Sequence, residues 1–229
     1  MKLDNIEHVF FDLDHTLWDF DRNSELAFKE IFEKQKITID VEDFLQVYKP
    51  INFKYWELYR NNSVSKEALR FGRLKESFTA LKFDTLDATI NLIADDYIEY
   101  LAKNNHLLEG GMELLNTLKD QYRLHIITNG FEEVQHKKMK GSGIHDYFET
   151  ITTSEEAGVK KPHPQIFQVA LNKSGAEISK SVMIGDNLEA DIIGAHKFGL
   201  RVIHLSSSEQ TVQDQYPQVQ KLKELLNYL

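Results

Sequence analysis

His8-Val9-Phe10-Phe11-Asp12-Leu13-Asp14-His15-Thr16 decides how the chain is read. Its first half is apolar on both faces, which is how a parallel strand looks when helices cover it on either side. Its second half turns polar at once. Asp12 and Asp14 alternate around Leu13, and the turn continues through His15 to Thr16, so both carboxylates can face one pocket if the strand curls there.

Outward from that strand the chain changes character. Of the 11 glycines only Gly72 precedes Gly110. The glycine-poor stretch carries a single proline, Pro50, and its apolar residues recur at three and four, as in Phe53, Trp56 and Tyr59, so it reads as several helices. After Gly110-Gly111, short β-rich runs at 123–128, 150–153, 181–184 and 201–205 alternate with helical ones, the pattern of parallel βαβ units. The expected fold is α/β, a doubly wound Rossmann-like parallel sheet formed by residues 1–18 and 110–229. An all-helical cap, residues 19–109, interrupts it, because so long a structureless loop is uncommon. The polar stretch 206–215 reads as a loop before a final short helix.

Bulk properties narrow the function. The 229 residues suffice for a full core, and 41% hydrophobic with 28% charged residues is globular composition. A formal charge of −9, with no long run of lysine or arginine, argues against a nucleic acid polymer as partner. Cysteine is absent, which excludes disulfides, Cys-ligated zinc and a thiol nucleophile, and agrees with a reducing cytoplasm. Neither a signal peptide nor a membrane span is expected, and the nine histidines form no His-x-His or His-Glu-x-x-His set. No P-loop occurs. The expected partner is a small molecule, and the expected state a monomer or homodimer in the cytoplasm.

Polar residues cluster where strands should end, the rim at which open parallel sheets bind ligands. Asp12 and Asp14 follow the first strand, Thr128 and Asn129 end the second, and Asp186 and Asn187 end the fourth. Each alone reads equally as a turn or helix-capping residue. Together with Asp191 they would crowd several anions into one place, which requires a cation, and a hard divalent ion such as Mg²⁺ suits carboxylates, waters and a phosphate oxygen. Lys161, fixed in an extended loop before Pro162, is a candidate for neutralising that cluster and a transferring phosphoryl group; a solvated surface lysine is the alternative.

Asp12-Leu13-Asp14-His15-Thr16, Thr128, Lys161-Pro162 and Gly185-Asp186-Asn187-Leu188-Glu189-Ala190-Asp191 resemble, in order and spacing, the four motifs of haloacid dehalogenase-superfamily phosphatases with a helical cap of the C1 type. The resemblance spans essentially the whole chain. It implies that Asp12 is a nucleophile that becomes phosphorylated and that Asp14 is the general acid and base. It also implies that Thr128, the Asn129 amide and Lys161 hold the phosphoryl group. Mg²⁺ would be ligated by Asp12, Asp186 and the Asp14 main-chain carbonyl, with Asn187 and Asp191 supporting from behind. Thr16 and, from the cap, Arg73 are further candidates for the substrate, with a solvated arginine as the alternative for Arg73.

Asp14 favours phosphate esters, since dehalogenase members lack this second aspartate. Ile127-Thr128-Asn129-Gly130-Phe131, residues 154–162 and Phe71-Gly72-Arg73 resemble more narrowly the branch of pyrimidine 5′-nucleotidases acting on canonical and noncanonical nucleoside monophosphates. His163 departs from that family's usual Asp, and His15 from its Gly or Glu. The cap holds more than half of the aromatic residues, either a stacking face for a base or a helical core. A sugar-phosphate phosphatase or phosphomutase would share the same motifs. A haloacid dehalogenase and a noncatalytic binding protein that kept the fold stand further off.

Overall fold

The computed structural model describes residues 2–206 and 216–229, so most of the expected loop at 206–215 lies outside the described residues. The chain divides into two compact units, Met1–Phe20 with Asn105–Leu229, and Asp21–Asn104.

The second unit is helical: α1 Phe20–Gln35, α2 Val41–Arg60, α3 Lys66–Ala80 and α4 Asp87–Leu101. Asp40 caps α2 by accepting from the amides of Glu42 and Asp43, and Ser65 caps α3 by accepting from that of Ala68. Pro50 sits inside α2, where it removes one backbone donor without ending the helix. The interior is aromatic. Phe28 stacks on Tyr97 at 4.6 Å between ring centroids and meets Phe44 and Tyr48 edge-on at 4.8 Å each. These rings form helical core, the second of the two alternatives the sequence left for them.

The first unit is built on β1 His8–Phe11, β2 Arg123–Thr128, β3 Thr150–Thr153, β4 Ser181–Gly185, β5 Arg201–Leu205 and β6 Gln218–Val219. All pair in parallel, in the order β3-β2-β1-β4-β5-β6. The helices of this unit are α5 Gly111–Leu118, α6 Glu132–Gly141, α7 Ser154–Ala157, α8 Pro164–Ser174 and α9 Gly194–Phe198, and Leu222–Asn227 forms a terminal 3₁₀ segment. β1 lies in the middle, and Val9, Phe10 and Phe11 are wholly buried, as its two-faced apolar pattern requires. Phe10 packs into the core with Ile127, Ile166, Phe167 and Met183. Strand order reverses between β1 and β4, which makes the carboxyl ends of those two strands the switch point where α/β sheets bind ligands. Among the described residues no helix is long and apolar enough to cross a membrane.

Two local features shape that rim. His15 adopts a left-handed φ of 62°, which suits a glycine and which histidine tolerates better than a β-branched residue would. Pro164 opens α8, and His163 caps it by accepting at Nδ1 from the Gln165 amide, the task an aspartate would perform there.

Candidate active site

β1 stops at Phe11, and the Asp12 amide still donates to the Ile184 carbonyl of β4 at 2.9 Å, which pins the start of the turn to the neighbouring strand. The Asp12 side chain accepts from the Lys161 ammonium at 2.6 Å. Lys161 also donates to the Ile127 carbonyl at 2.6 Å and lies 2.7 Å from Asp191. At 2% exposure Lys161 is interior, and the solvated alternative does not hold.

Asn129 explains how a lysine is kept there. Its side chain accepts from the Lys161 amide at 2.8 Å and donates to the Lys161 carbonyl at 3.0 Å, a two-point clasp on the backbone of the β3–α8 connection. The Asn129 side chain is therefore occupied, and the expected contribution to phosphate binding rests on its main-chain amide.

Asp186 follows β4. Thr16 lies wholly buried beside it, donating its hydroxyl to Asp186 Oδ1 and accepting from the Asp186 amide, both at 3.1 Å. Thr16, expected on the substrate side, is thus engaged in orienting Asp186. The Asp186 carbonyl accepts from His204 on β5 at 2.9 Å, a contact that sequence reasoning missed. Beyond it the chain winds through a π-helical turn, Leu188–Ile193, that begins with the Asn187 side chain accepting from the Ala190 amide. The wide turn brings Asp191 back to accept from the Asn187 amide at 3.0 Å. Gly185 is needed for this, because a Cβ there would stand 2.3 Å from the Asp191 carboxylate.

One ligand atom from each of Asp12, Asp186 and Asp191 lies within 4.8 Å of the others. Two of the three carboxylates, Asp12 and Asp191, are buried and share the Lys161 ammonium, while Asp186 is half-buried. Burial pushes Asp12 well above the usual carboxylate range against the pull of Lys161, with Asp191 and Asp186 adding to the push. Asp186 is pushed up to about 7, by burial first and then by Asp191, while its Thr16 hydrogen bond works the other way. Burial also works against the charged form of Lys161, but Asp12 and Asp191 overcome it and raise the lysine above its ordinary value. A raised lysine implies an ionised partner, whereas a raised Asp12 implies a neutral one. The 2.6 Å contact decides for the ion pair, and the upward pressure on the acids reports a surplus of negative charge. An all-oxygen, net-negative cluster of this kind fits a hard divalent cation.

The Asp14 carboxylate stands apart from that cluster. Oδ1 accepts from Lys138 at 2.6 Å and Oδ2 from Gln135 at 2.9 Å, both residues on α6. The Gln135 amide also donates to the Thr128 hydroxyl at 2.8 Å, which accepts in addition from the Gly130 amide at 3.0 Å. Neither Gln135 nor Lys138 was singled out from the sequence, where both sit in a charged helical run that looks solvated. Arg73 belongs to the helical unit, where at 2% exposure it donates to Asn52 at 2.8 Å and lies over the Tyr97 ring at 5.0 Å, so a solvated arginine is excluded.

Comparison with known proteins agrees with this geometry. A family model described as haloacid dehalogenase-like hydrolase matches residues 6–199. The pyrimidine 5′-nucleotidase YjjG of Escherichia coli is 34% identical over 87% of this chain and 85% of its own. The pyrimidine 5′-nucleotidase PynA of Streptococcus pneumoniae is 31% identical over 85% of this chain and 81% of its own. The crystal structure of the Bacillus subtilis protein YfnB bound to magnesium superposes with a TM-score of 0.87 at 27% identity, covering 98% of both chains.

Proposed function

The chain belongs to the haloacid dehalogenase-like hydrolase family, and from that premise we propose that it is a Mg²⁺-dependent phosphatase releasing inorganic phosphate from pyrimidine nucleoside 5′-monophosphates. What carries the proposal is the meeting of Asp12, Lys161, Asp186 and Asp191 at the reversal of strand order, with Asp14 close by in sequence but held by a separate pair of donors. The nucleotide part draws support from the likeness to YjjG and PynA and from the local strings around Thr128 and Lys161.

Asp12, Asp186 and the Asp14 main-chain carbonyl would hold the metal, with Asp191 in the same cluster. When bound, the ion supplies positive charge to the carboxylates and to the phosphoryl oxygens. The rest follows from the chain's own groups. An Asp12 carboxylate oxygen attacks phosphorus, the bond from phosphorus to the ester oxygen breaks, and its electron pair leaves with that oxygen. The Asp14 carboxyl gives the oxygen a proton, so that the nucleoside departs as a neutral alcohol. Asp14, now a carboxylate, takes a proton from water as the water oxygen attacks the aspartyl phosphate, which restores Asp12 and frees phosphate. Lys161 and the Thr128 hydroxyl stabilise the charge on the transferring group.

A phosphate-release assay on the intact chain tests this, with UMP, dUMP and dTMP set against glucose 6-phosphate in the presence of Mg²⁺. Preference for the nucleotides is expected. The reverse preference discards the nucleotidase assignment, and no release from any phosphomonoester discards the phosphatase.

A further inference from the structure

We propose that Gln135 and Lys138 are positioning residues that lock Asp14 in the orientation needed to protonate the leaving oxygen and turn the Thr128 hydroxyl toward the phosphoryl group. The proposal rests on the phosphatase reading above and adds two residues to it.

Three positions apart on α6, Gln135 and Lys138 project on one face, and both are buried, at 0% and 2% exposure. Burying an ammonium is costly unless it is paired. Lys138 meets that cost with Asp14 at 2.6 Å and with the Trp18 ring, whose centroid lies 4.3 Å from Nζ, while Phe20 stands at 5.4 Å. Gln135 supplies the donor for the other carboxylate oxygen. Each oxygen of Asp14 therefore has one fixed partner, and the side chain has one orientation.

Gln135 also joins Asp14 to Thr128. The Thr128 hydroxyl oxygen accepts from both Gln135 and the Gly130 amide, which fills its acceptor positions and leaves its own hydrogen to donate elsewhere. Glycine at 130 belongs to the same device, since a Cβ there would come within 2.3 Å of the Gln135 amide nitrogen. The 2.6 Å contact with the Lys138 ammonium pairs the carboxylate form of Asp14, the form present once its proton has gone to the leaving oxygen.

The leaving-group dependence of kcat/KM separates this role from simple structural support, because kcat/KM reports the step in which the ester bond breaks. p-Nitrophenolate leaves with little help from a proton, whereas an alkoxide does not. Lys138→Met should lower kcat/KM about 100-fold on UMP, or on whichever alkyl phosphate the wild type hydrolyses, and less than about 5-fold on p-nitrophenyl phosphate. Gln135→Met should show the same split at smaller amplitude and serves as the independent variant if Lys138→Met does not fold. A metal-free readout accompanies it: in a Trp56→Phe background, Trp18 fluorescence should change on Lys138→Met. Equal loss on both esters, no loss on either, or unaltered Trp18 emission overturns the clamp while leaving the phosphatase standing. A wild type that hydrolyses neither ester overturns the phosphatase, and the clamp with it.

Discussion

The Lys161 ammonium lies 2.6 Å from the Asp12 carboxylate across 149 positions of sequence, and Asp191 approaches the same ammonium to 2.7 Å. The lysine therefore holds the end of β1 to the connection after β3 and to the turn after β4 at once. An interior cation shared between two carboxylates is costly to build and still more costly to break from one side, since removing either partner strands an uncompensated charge. Such an arrangement fits a site whose charge is completed by a ligand.

Asp12→Asn keeps the shape of the side chain and removes the nucleophilic oxyanion. Turnover should fall on the order of 10⁴-fold or more, as loss of a nucleophile does in other hydrolases. Thermal unfolding should show little loss of stability, because Asp191 still pairs the Lys161 ammonium at 2.7 Å and the substitution removes one of three crowded anions. Wild-type-like phosphate release from this variant would remove Asp12 from the mechanism.

Chelation follows from the same surplus of negative charge. Excess EDTA should abolish turnover and Mg²⁺ should restore it. The ion should also raise the unfolding temperature, because a ligand that binds the folded state alone stabilises by about 2.7 kcal/mol when present at 100 times its Kd. Undiminished turnover in EDTA, with no thermal shift on adding Mg²⁺, would show that the acidic cluster works without a metal.

Thr16 distinguishes support of the acidic cluster from contact with substrate. Its hydroxyl both donates to and accepts from Asp186, so Thr16→Val leaves Asp186 without its orienting partner. The Mg²⁺ concentration giving half-maximal activity should rise about 10-fold or more, in line with other residues that orient metal ligands from behind. KM for the nucleotide at saturating Mg²⁺ should change little. A raised KM with unaltered metal dependence would return Thr16 to the substrate side.

Much of this architecture could be read from the residues, and the exceptions have physical reasons. β1 is an apolar run buried on both faces, and β2 and β4 followed from the alternation of β-rich and helical runs, which also implied parallel pairing. β1 ends at Phe11, two residues short of the apolar run through Leu13, because the chain already curls at Asp12. β6 is two residues beside Pro217, too short to leave a periodicity. Asp12 and Asp186 stood out as polar groups beside strand ends, Lys161 as a lysine fixed before Pro162, and Asp191 as a further acid close after Asp186. Gln135 and Lys138 did not, because a helix beginning Glu132-Glu133 and carrying Lys137, Lys138 and Lys140 resembles a solvated face until α6 is docked against the rim. The side chains of Thr16 and Asn129 hold Asp186 and Lys161, contacts between distant segments that sequence spacing does not announce; the expectation for Asn129 concerned its main-chain amide, which this clasp leaves untouched.

Acid should weaken the fold through a histidine pair at the foot of the sheet, away from the carboxyl ends of the strands. His8 on β1 and His125 on β2 are both buried, with His8 Nδ1 3.0 Å from His125 Nε2 and His125 Nδ1 2.9 Å from the Thr150 hydroxyl. Burial, then the neighbouring His8, lowers His125 from the ordinary 6.5 to about 4, with Glu149 opposing, and His8 moves the same way through burial and Arg123. The unfolded chain takes up these protons near pH 6.5, while folded His125 stays neutral down to about pH 4. The contribution is thus fully present above pH 6.5 and is lost progressively as pH falls toward 4, a total of about 2–3 kcal/mol. Urea unfolding measured across that interval should show the decline in the wild type, and His125→Gln should flatten it by removing the proton uptake that separates the two states. If both proteins lose stability with the same slope, the acid sensitivity lies with other groups and the histidine pair is merely a packed contact.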